Sequence, residues 1–358
     1  MIRSVCQNRM KDTVKLMPSG QCLSVPADES ILDTALHAGI NLPHSCRGGS
    51  CGSCRARLLQ GALDYPFRPP LALTAEEIEE GFALLCQARP IGEVVIEAKP
   101  IVSPEEIRIK RVPCRVRKLE RLGHDVMGVT LQLPAVEPMP FEAGQYLDVL
   151  LDGGHRRSFS IASDPSDPYF LQLHIRRVAG GGFSEQVFGE LGEGALLTIE
   201  GPFGAFRLRP AQGRTRLFVA GGTGLAPILS MLSHAIAKGL ETPVHLFWGV
   251  RGRADLYHHS ALERWQDEQS RFRYTPVLSE PGPDDHWEGA TGFVHEAVIA
   301  AHPDLSLADV YMAGPPPMIE AGQRLLPANG LPPKRLFFDS FEYSPEALRA
   351  MDREQRTT

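Results

Sequence analysis

The 358-residue chain is predicted to fold as a multidomain protein of α+β and α/β class: a small α+β domain, an antiparallel β-barrel, and a parallel sheet covered by helices. Three observations predict this. The length exceeds one ordinary core, since domains run about 100 to 200 residues. Short β-type runs crowd residues 114–208, and beyond Arg214 strands alternate with helices and end in glycine, the pattern of a helix-covered parallel sheet.

Composition narrows the function classes. With 43% hydrophobic and 22% charged residues, and no apolar run near the roughly 18 residues of a membrane span, the chain reads as globular with no membrane partner. A net charge of −6 without any basic block argues against nucleic acid. Residues 1–12, MIRSVCQNRMKD, lack the apolar core of a secretory signal and are read as a frayed tail. A cytoplasmic monomer is expected.

In order along the chain, residues 13–25 alternate around a Ser19-Gly20 turn, a hairpin signal. SILDTALHAGI (30–40) then has helical spacing, with Asp28 or Ser30 as cap and Gly39 as terminator. Pro43 ends that element, so the following cysteines fall on a loop. Thr74 and Glu77 form a capping-box pattern for a short helix within 73–85. A proline-punctuated, charged stretch near 100–110 is the first linker. Domains are accordingly set at 13–103, 110–210 and 214–358.

Cys46, Cys51 and Cys54 are spaced C-x4-C-x2-C, with Cys86 31 residues further on. This is the plant-type [2Fe-2S] spacing. The competing reading, a four-cysteine zinc site, usually uses two C-x2-C pairs. Gly48, Gly49, Ser50 and Gly52 would let the loop wrap a cluster and aim N–H groups at its sulfurs. Cys6, Cys22 and Cys114 have no such company and read as small core or tail residues. Thiolate ligands fit a reducing compartment. Arg47, Arg55 and Arg57 flank the ligands and could meet an acidic partner or simply solvate the loop.

Within the predicted barrel, Arg157-Ser158-Phe159-Ser160 offers an arginine for pyrophosphate, an aromatic ring for a flavin face, and a hydroxyl for the flavin N5. The alternative is an ordinary strand with Phe159 and Ile161 packed inward. Gly181-Gly182-Phe183-Ser184 offers N–H groups to phosphate ahead of a helix. The strand end His174-Ile175-Arg176 is counted with the same cofactor site.

RLFVA runs straight into a glycine-rich turn in which Gly222, Gly224 and Ala226 fit G-x-G-x-x-A between strand and helix, a dinucleotide signature in the right context. Thr223 and Pro227 belong to it. Arg251, rather than an acid, closes the next strand, which leaves NADH or NADPH open. Gly314, Pro315 and Met318 lie in YMAGPPPMI, where Ala313 stands in place of a cysteine expected at the nicotinamide. Phe341, in FFDSFEYS, is the candidate ring beside the flavin, a plain terminal strand being the alternative. His258-His259 reads as a loop or helix-start pair.

These motifs, in this order over essentially the whole chain, resemble the single-chain [2Fe-2S]/FAD ferredoxin-NAD(P)H reductases of Rieske-type ring-hydroxylating oxygenases. FEAGQY (141–146) and GFVHEAV (292–298) resemble most closely the branch that includes CDP-6-deoxy-Δ3,4-glucoseen reductase. The resemblance implies an N-terminal β-grasp ferredoxin domain with Cys46, Cys51, Cys54 and Cys86 as metal ligands, an FAD barrel, and an NAD(P) domain. It implies hydride transfer from NADH, or NADPH, to FAD, with Ser160, Gly314 and Met318 at the reacting centre. Single electrons then pass through the cluster to a protein acceptor. A ferredoxin-like carrier with a decayed flavin site is the reading from a different class.

Overall fold

The computed structural model describes residues 12–341 except 45–46, 50–51, 67–69, 71, 101–106, 179, 181 and 211–212. The chain forms two compact units. The first runs to Ile109 and includes Phe203–Ala205; the second comprises Lys110–Pro202 and the chain from Phe206 onward.

In the first unit the hairpin of β1 (Asp12–Met17) and β2 (Cys22–Val25) is followed by α1 (Ile31–His37). The helix starts where Ser30 accepts the Asp33 N–H at 3.1 Å, a side-chain cap that satisfies one of the orphan donors of the first turn. It buries Ile31, Leu32, Ala35 and Leu36 against Val14, Leu16 and Ile96 of the sheet, and Gly39 follows with φ +75°. β3 (Arg55–Asp64), α2 (Ala75–Glu79), β4 (Phe82–Leu84) and β5 (Arg89–Glu97) complete the unit. The sheet order is β2-β1-β5-β3-β4, with β1 and β5 parallel.

The capping box of α2 is present, with Thr74 and Glu77 exchanging bonds at 3.2 and 3.0 Å. The helix nevertheless stops at Glu79 rather than continuing through 85. Gly81, at φ +87°, turns the chain, and Phe82–Leu84 pairs with β3 as a strand. Tertiary pairing overrides the local helical pattern.

The second unit begins with β6 (Lys110–Arg121), β7 (Val126–Gln132), β8 (Tyr146–Leu150), β9 (Arg156–Ser160), β10 (Phe170–Arg176), α3 (Gly182–Gly189) and β11 (Leu196–Phe203). Their order is β10-β7-β6-β11-β8-β9. An isolated bridge from Ile161 to Leu173 joins the two edges, so the sheet closes as a barrel and leaves no edge between β9 and β10. Its core includes Val112, Cys114, Leu131, Leu147, Ile161, Leu173 and Phe183. Burial raises the Cys114 thiol to about 12, which makes it an inert core residue. Cys22, in contrast, is disulfide-bonded and is not the isolated thiol expected.

The chain then forms β12 (Thr215–Gly221), α4 (Leu225–Ala237), β13 (Val244–Val250), α5 (His259–Glu268), β14 (Phe272–Leu278), β15 (Ala290–Thr291), α6 (Val294–Ala301), β16 (Ala308–Gly314), α7 (Pro316–Ala328) and β17 (Leu336–Ser340). The strands order as β15-β14-β13-β12-β16-β17 with parallel pairings throughout. The order reverses between β12 and β16. Ligands of open α/β sheets bind outside the carboxyl ends of the strands at such a point.

One buried group of this sheet sets an acid limit. His245, on β13, has Nδ1 3.0 Å from His302 Nε2 and Nε2 2.8 Å from Thr275 Oγ1. Burial, with help from His302 and Arg273, lowers its pKa from 6.5 to about 3. Below pH 6.5 the unfolded chain therefore takes up a proton that the folded chain refuses. Stability is fully present above that pH and declines toward about 3, by roughly 1.4 kcal/mol per pH unit for this group. Melting temperatures taken from pH 7.5 to 5 are expected to fall for the native chain and to fall less steeply for His245→Gln. Equal slopes would remove the assignment.

Candidate functional site

The cysteine site is built by the first unit's sheet. Arg55 of β3 stands opposite Leu84 of β4, so Cys54 and Cys86, just beyond the paired segment, come to one end of the sheet. The Leu85 N–H donates to the Cys54 carbonyl at 3.2 Å, and both cysteines are buried. The first turn of α1 reaches the same place, Ile31 and Leu32 donating to the carbonyls of Ala88 and Leu85 at 3.0 Å each. Burial raises the Tyr65 hydroxyl, and the thiols of Cys54 and Cys86 nearby push it the same way. Cys46 and Cys51 lie outside the described residues.

The loop between them is shaped for close approach. Gly49 adopts φ +86°, and a Cβ there would stand 2.8 Å from Gln87 Cγ. Gln87 Nε2 in turn donates to the carbonyls of Arg47 and Cys86, both at 3.2 Å. Two buried cysteines at the rim of such a loop fit a thiolate-held cluster.

The arginines beside the ligands are mostly engaged within the unit. Arg47 pairs with Asp33 at 2.5 Å; burial alone would raise that carboxyl, but the guanidinium holds it below its ordinary value. Arg55 pairs with Glu77 at 2.6 Å and lies 3.8 Å over the Phe82 ring. Arg57 is exposed.

In the second unit the flavin motif lies on β9, and its side chains alternate. Phe159 packs against the barrel core and approaches Phe183 at 5.8 Å, so the inward-packing alternative holds in part for Phe159 and for the fully buried Ile161. The Ser158 hydroxyl donates to the buried Asp148 at 2.6 Å, a cross-strand partner rather than an open binding group. Arg157 donates to the Arg156 carbonyl at 2.8 Å. Ser160, at the strand's end, is buried, and its hydroxyl makes no hydrogen bond among the described residues.

The glycine-rich turn before α3 is closed by its own side chains. Ser184 Oγ accepts from Val178 N at 3.1 Å and donates to Val178 O at 3.2 Å, and Glu185 accepts the Gly180 N–H at 3.3 Å. Gly181 lies outside the described residues. Ile175 faces the barrel core, whereas His174 and Arg176 face the glycine-rich turn and the residues after β13. His174 Nδ1 is 3.2 Å from the Tyr257 hydroxyl, and burial, with His258 adjacent, lowers its pKa to about 3. It is neutral at physiological pH, with Nε2 buried and lacking a hydrogen-bond partner.

At the switch point the two strand ends nearly touch. A Cβ on Gly224 would overlap the Ala313 carbonyl, and one on Gly221 would meet Met318 Sδ at 2.6 Å and Pro315 Cδ at 2.9 Å. Gly314 sits 3.1 Å from Gly221 by the same measure, and its carbonyl accepts the Phe341 N–H at 2.9 Å. Gly221, Gly224, Gly314, Pro315, Met318 and Phe341 are thus brought together, with Ala226 and Pro227 buried in the first turn of α4.

Gly222, at φ +54°, has Arg176 Nη1 2.9 Å from where its Cβ would be, and Arg176 Nη2 is buried without a hydrogen-bond partner. Those two features fit a phosphate group above the turn. The sequence reading missed Trp248, whose indole N–H donates to the Gly222 carbonyl at 2.9 Å. The W-G pattern at that strand end was the available signal. Arg251 is largely exposed and lies 3.5 Å from Asp255.

A closed barrel and a doubly wound sheet meeting at a glycine-lined crevice, with a separate cysteine-bearing unit, define a flavin- and nicotinamide-dependent electron-transfer reductase. Family models match all three parts: the 2Fe-2S iron-sulfur cluster binding domain at residues 14–90, the oxidoreductase FAD-binding domain at 113–208, and the oxidoreductase NAD-binding domain at 218–324. The chain belongs to the family of single-chain [2Fe-2S]/FAD ferredoxin-NAD(P)H reductases.

It is 37% identical, over 93% of its length and 99% of the relative's, to a CDP-6-deoxy-L-threo-D-glycero-4-hexulose-3-dehydrase reductase of Yersinia pestis. It is 36% identical to the phenol hydroxylase P5 protein of Acinetobacter pittii, over 87% and 89% of the two chains. Among solved structures, a cytochrome P450 reductase of Amycolatopsis superposes with a TM-score of 0.77 at 32% identity, covering 92% of this chain and 98% of that one. The chain is an NAD(P)H-dependent oxidoreductase that uses FAD and a [2Fe-2S] cluster and delivers electrons to a protein acceptor. No helix among the described residues is long and apolar enough to cross a membrane.

Removing the indole donor tests the turn. Trp248→Phe is expected to lower stability by about 1 kcal/mol, the net worth of one hydrogen bond, and to weaken NAD(P)H binding while leaving the cluster absorbance unchanged. Thermal melts and nucleotide titrations check both.

Proposed function

We propose that the chain is the reductase component of an oxygenase of the Rieske ring-hydroxylating type. The observation that carries the internal chemistry is the crevice where barrel and sheet meet, with Arg176 of β10 over Gly222 at the end of β12. Relatives named as phenol 2-monooxygenase reductase component and aromatic O-demethylase reductase subunit, together with a solved structure titled ferredoxin reductase in carbazole 1,9a-dioxygenase, support an oxygenase as acceptor. The second reading, a reductase serving a sugar-deoxygenating enzyme, is favoured by the near full-length likeness to the hexulose dehydrase reductase.

In this reading Arg176, the N–H groups of Gly222–Gly224 and the start of α4 hold the nicotinamide nucleotide's phosphates, because an anion is favoured at unpaired N–H groups. Gly221, Gly314 and Met318 leave a flat, side-chain-free floor for the nicotinamide ring. Arg157, Gly182 and Ser184 hold FAD, with Phe159 and Phe183 firming the strand and turn beneath it, and Phe341 covers the flavin from the C-terminal side. When bound, FAD accepts a hydride and releases electrons singly, and the cluster held by Cys46, Cys51, Cys54 and Cys86 carries them one at a time.

Ser160 presents its hydroxyl to the flavin N5 position. His174, being neutral, adds no charge to the site. NADH is the proposed donor, since Asp255 beside Arg251 offsets the positive charge that a 2′-phosphate would seek. A cytoplasmic monomer remains the proposed state.

Ser160→Ala is expected to slow flavin reduction by NADH about tenfold in stopped-flow traces while the cluster spectrum stays intact; an unchanged rate would remove Ser160 from the reacting centre. Reconstitution with a Rieske oxygenase or with a hexulose dehydrase separates the two acceptor readings. NADH consumption coupled to product is expected only with the oxygenase.

A further inference from the structure

The nucleotide reading of Arg176 leaves a neighbouring carboxylate without a role. Asp125 lies in the turn between β6 and β7, and its Oδ2 is 3.1 Å from Arg176 Nε. Its side chain is four-fifths buried, and Oδ1 is buried with no hydrogen-bond partner. A carboxylate withdrawn this far from water is costly unless paired, and the guanidinium is the cation it faces.

The turn itself is firmly placed. Leu122 and Gly123 donate to the Val126 carbonyl at 3.0 and 3.1 Å, and the Asp125 carbonyl accepts the Arg177 N–H at 2.8 Å. A Cβ on Gly123 would stand 3.2 Å from Tyr257 Cβ. Next to it, His124 Nε2 lies 3.9 Å from Asp125 and 3.6 Å from Asp255, whose other oxygen is 3.5 Å from Arg251. His124, Asp125 and Asp255 have ligand atoms close enough for a metal ion, but each carboxylate already faces a guanidinium, so the arrangement reads as an ion-pair chain.

An arginine has a long, rotamer-rich side chain, and ordering it costs entropy. Gripping Nε alone fixes the direction of the guanidinium plane and leaves its Nη edge clear. In this structure that edge is what approaches Gly222, with Nη1 beside the turn and Nη2 unsatisfied. Bidentate recognition of a phosphate uses such an edge.

We propose that Asp125 is a positioning residue: it holds Arg176 over the Gly222 turn in the orientation that receives the phosphates of the nicotinamide nucleotide. The proposal rests on the reading of Arg176 as a nucleotide-binding residue, and the test keeps the two apart.

The holoenzyme and its Asp125→Asn, Asp125→Glu, Arg176→Ala and doubly substituted Asp125→Asn/Arg176→Ala forms are assayed with NADH and an artificial one-electron acceptor. Asp125→Asn is expected to raise KM for NADH about tenfold with kcat within about twofold, and with flavin and cluster absorbance unchanged. Asp125→Glu recovers most of the loss, and the double variant is no worse than Arg176→Ala, because the two residues act as one unit. An elevated KM in Arg176→Ala beside a native KM in Asp125→Asn overturns the positioning role alone. A native KM in Arg176→Ala overturns the nucleotide reading beneath it. Loss of flavin from Asp125→Asn, without rescue by glutamate, assigns Asp125 to folding and overturns the proposal.

Discussion

The carboxyl ends of β12 and β16 approach so closely that a side chain at the contact has no room. Gly224 lies under the Ala313 carbonyl, and Gly221 lies against Gly314, Pro315 and Met318. The register of the parallel pair, Ala220 opposite Ala313, fixes this meeting, and the strand order reverses at the same place. Everything that makes the crevice usable follows: a flat floor, exposed N–H groups in the turn, and α4 starting directly behind it. The Trp248 indole and the Arg176 guanidinium then hold the turn from two sides.

The cysteine unit obeys a comparable constraint on a smaller scale. Its loop must pass close to Gln87, so Gly49 takes a positive φ that a Cβ could not share with that side chain. The fourth cysteine is fixed by backbone bonds from α1 to Leu85 and Ala88, on either side of Cys86. Here position is set by strand pairing and helix capping rather than by the cysteines themselves. Ion pairing within the unit also decides which arginines are available: Arg47 and Arg55 are spent on Asp33 and Glu77, which leaves exposed Arg57 as the better candidate for meeting an acceptor.

Much of this was legible because ligands and turns carry local chemical signatures. The C-x4-C-x2-C spacing, the G-x-G-x-x-A turn after a strand and the Thr74/Glu77 box each declare themselves within a few residues. What escaped reading depends on partners distant in sequence. Phe82–Leu84 has a helical pattern locally but pairs with β3. Ser158 fits a binding motif, yet its hydroxyl is committed to Asp148 across the strand pair. Ser184 likewise closes its own turn through Val178. Trp248 and Asp125 reach the site only through folded contacts, 26 residues from Gly222 in the first case, and no local spacing marks them.

The central claim is that electrons from the nicotinamide nucleotide reach the cluster only through the flavin. An anaerobic titration of the holoenzyme with NADH, followed by flavin absorbance and by the electron paramagnetic resonance of the reduced cluster, tests it most directly when repeated on flavin-stripped protein. The account predicts that NADH bleaches the flavin and produces the cluster signal in the holoenzyme, and that the stripped protein gives no cluster signal until FAD is restored. A reduced-cluster signal produced by NADH without flavin would contradict it.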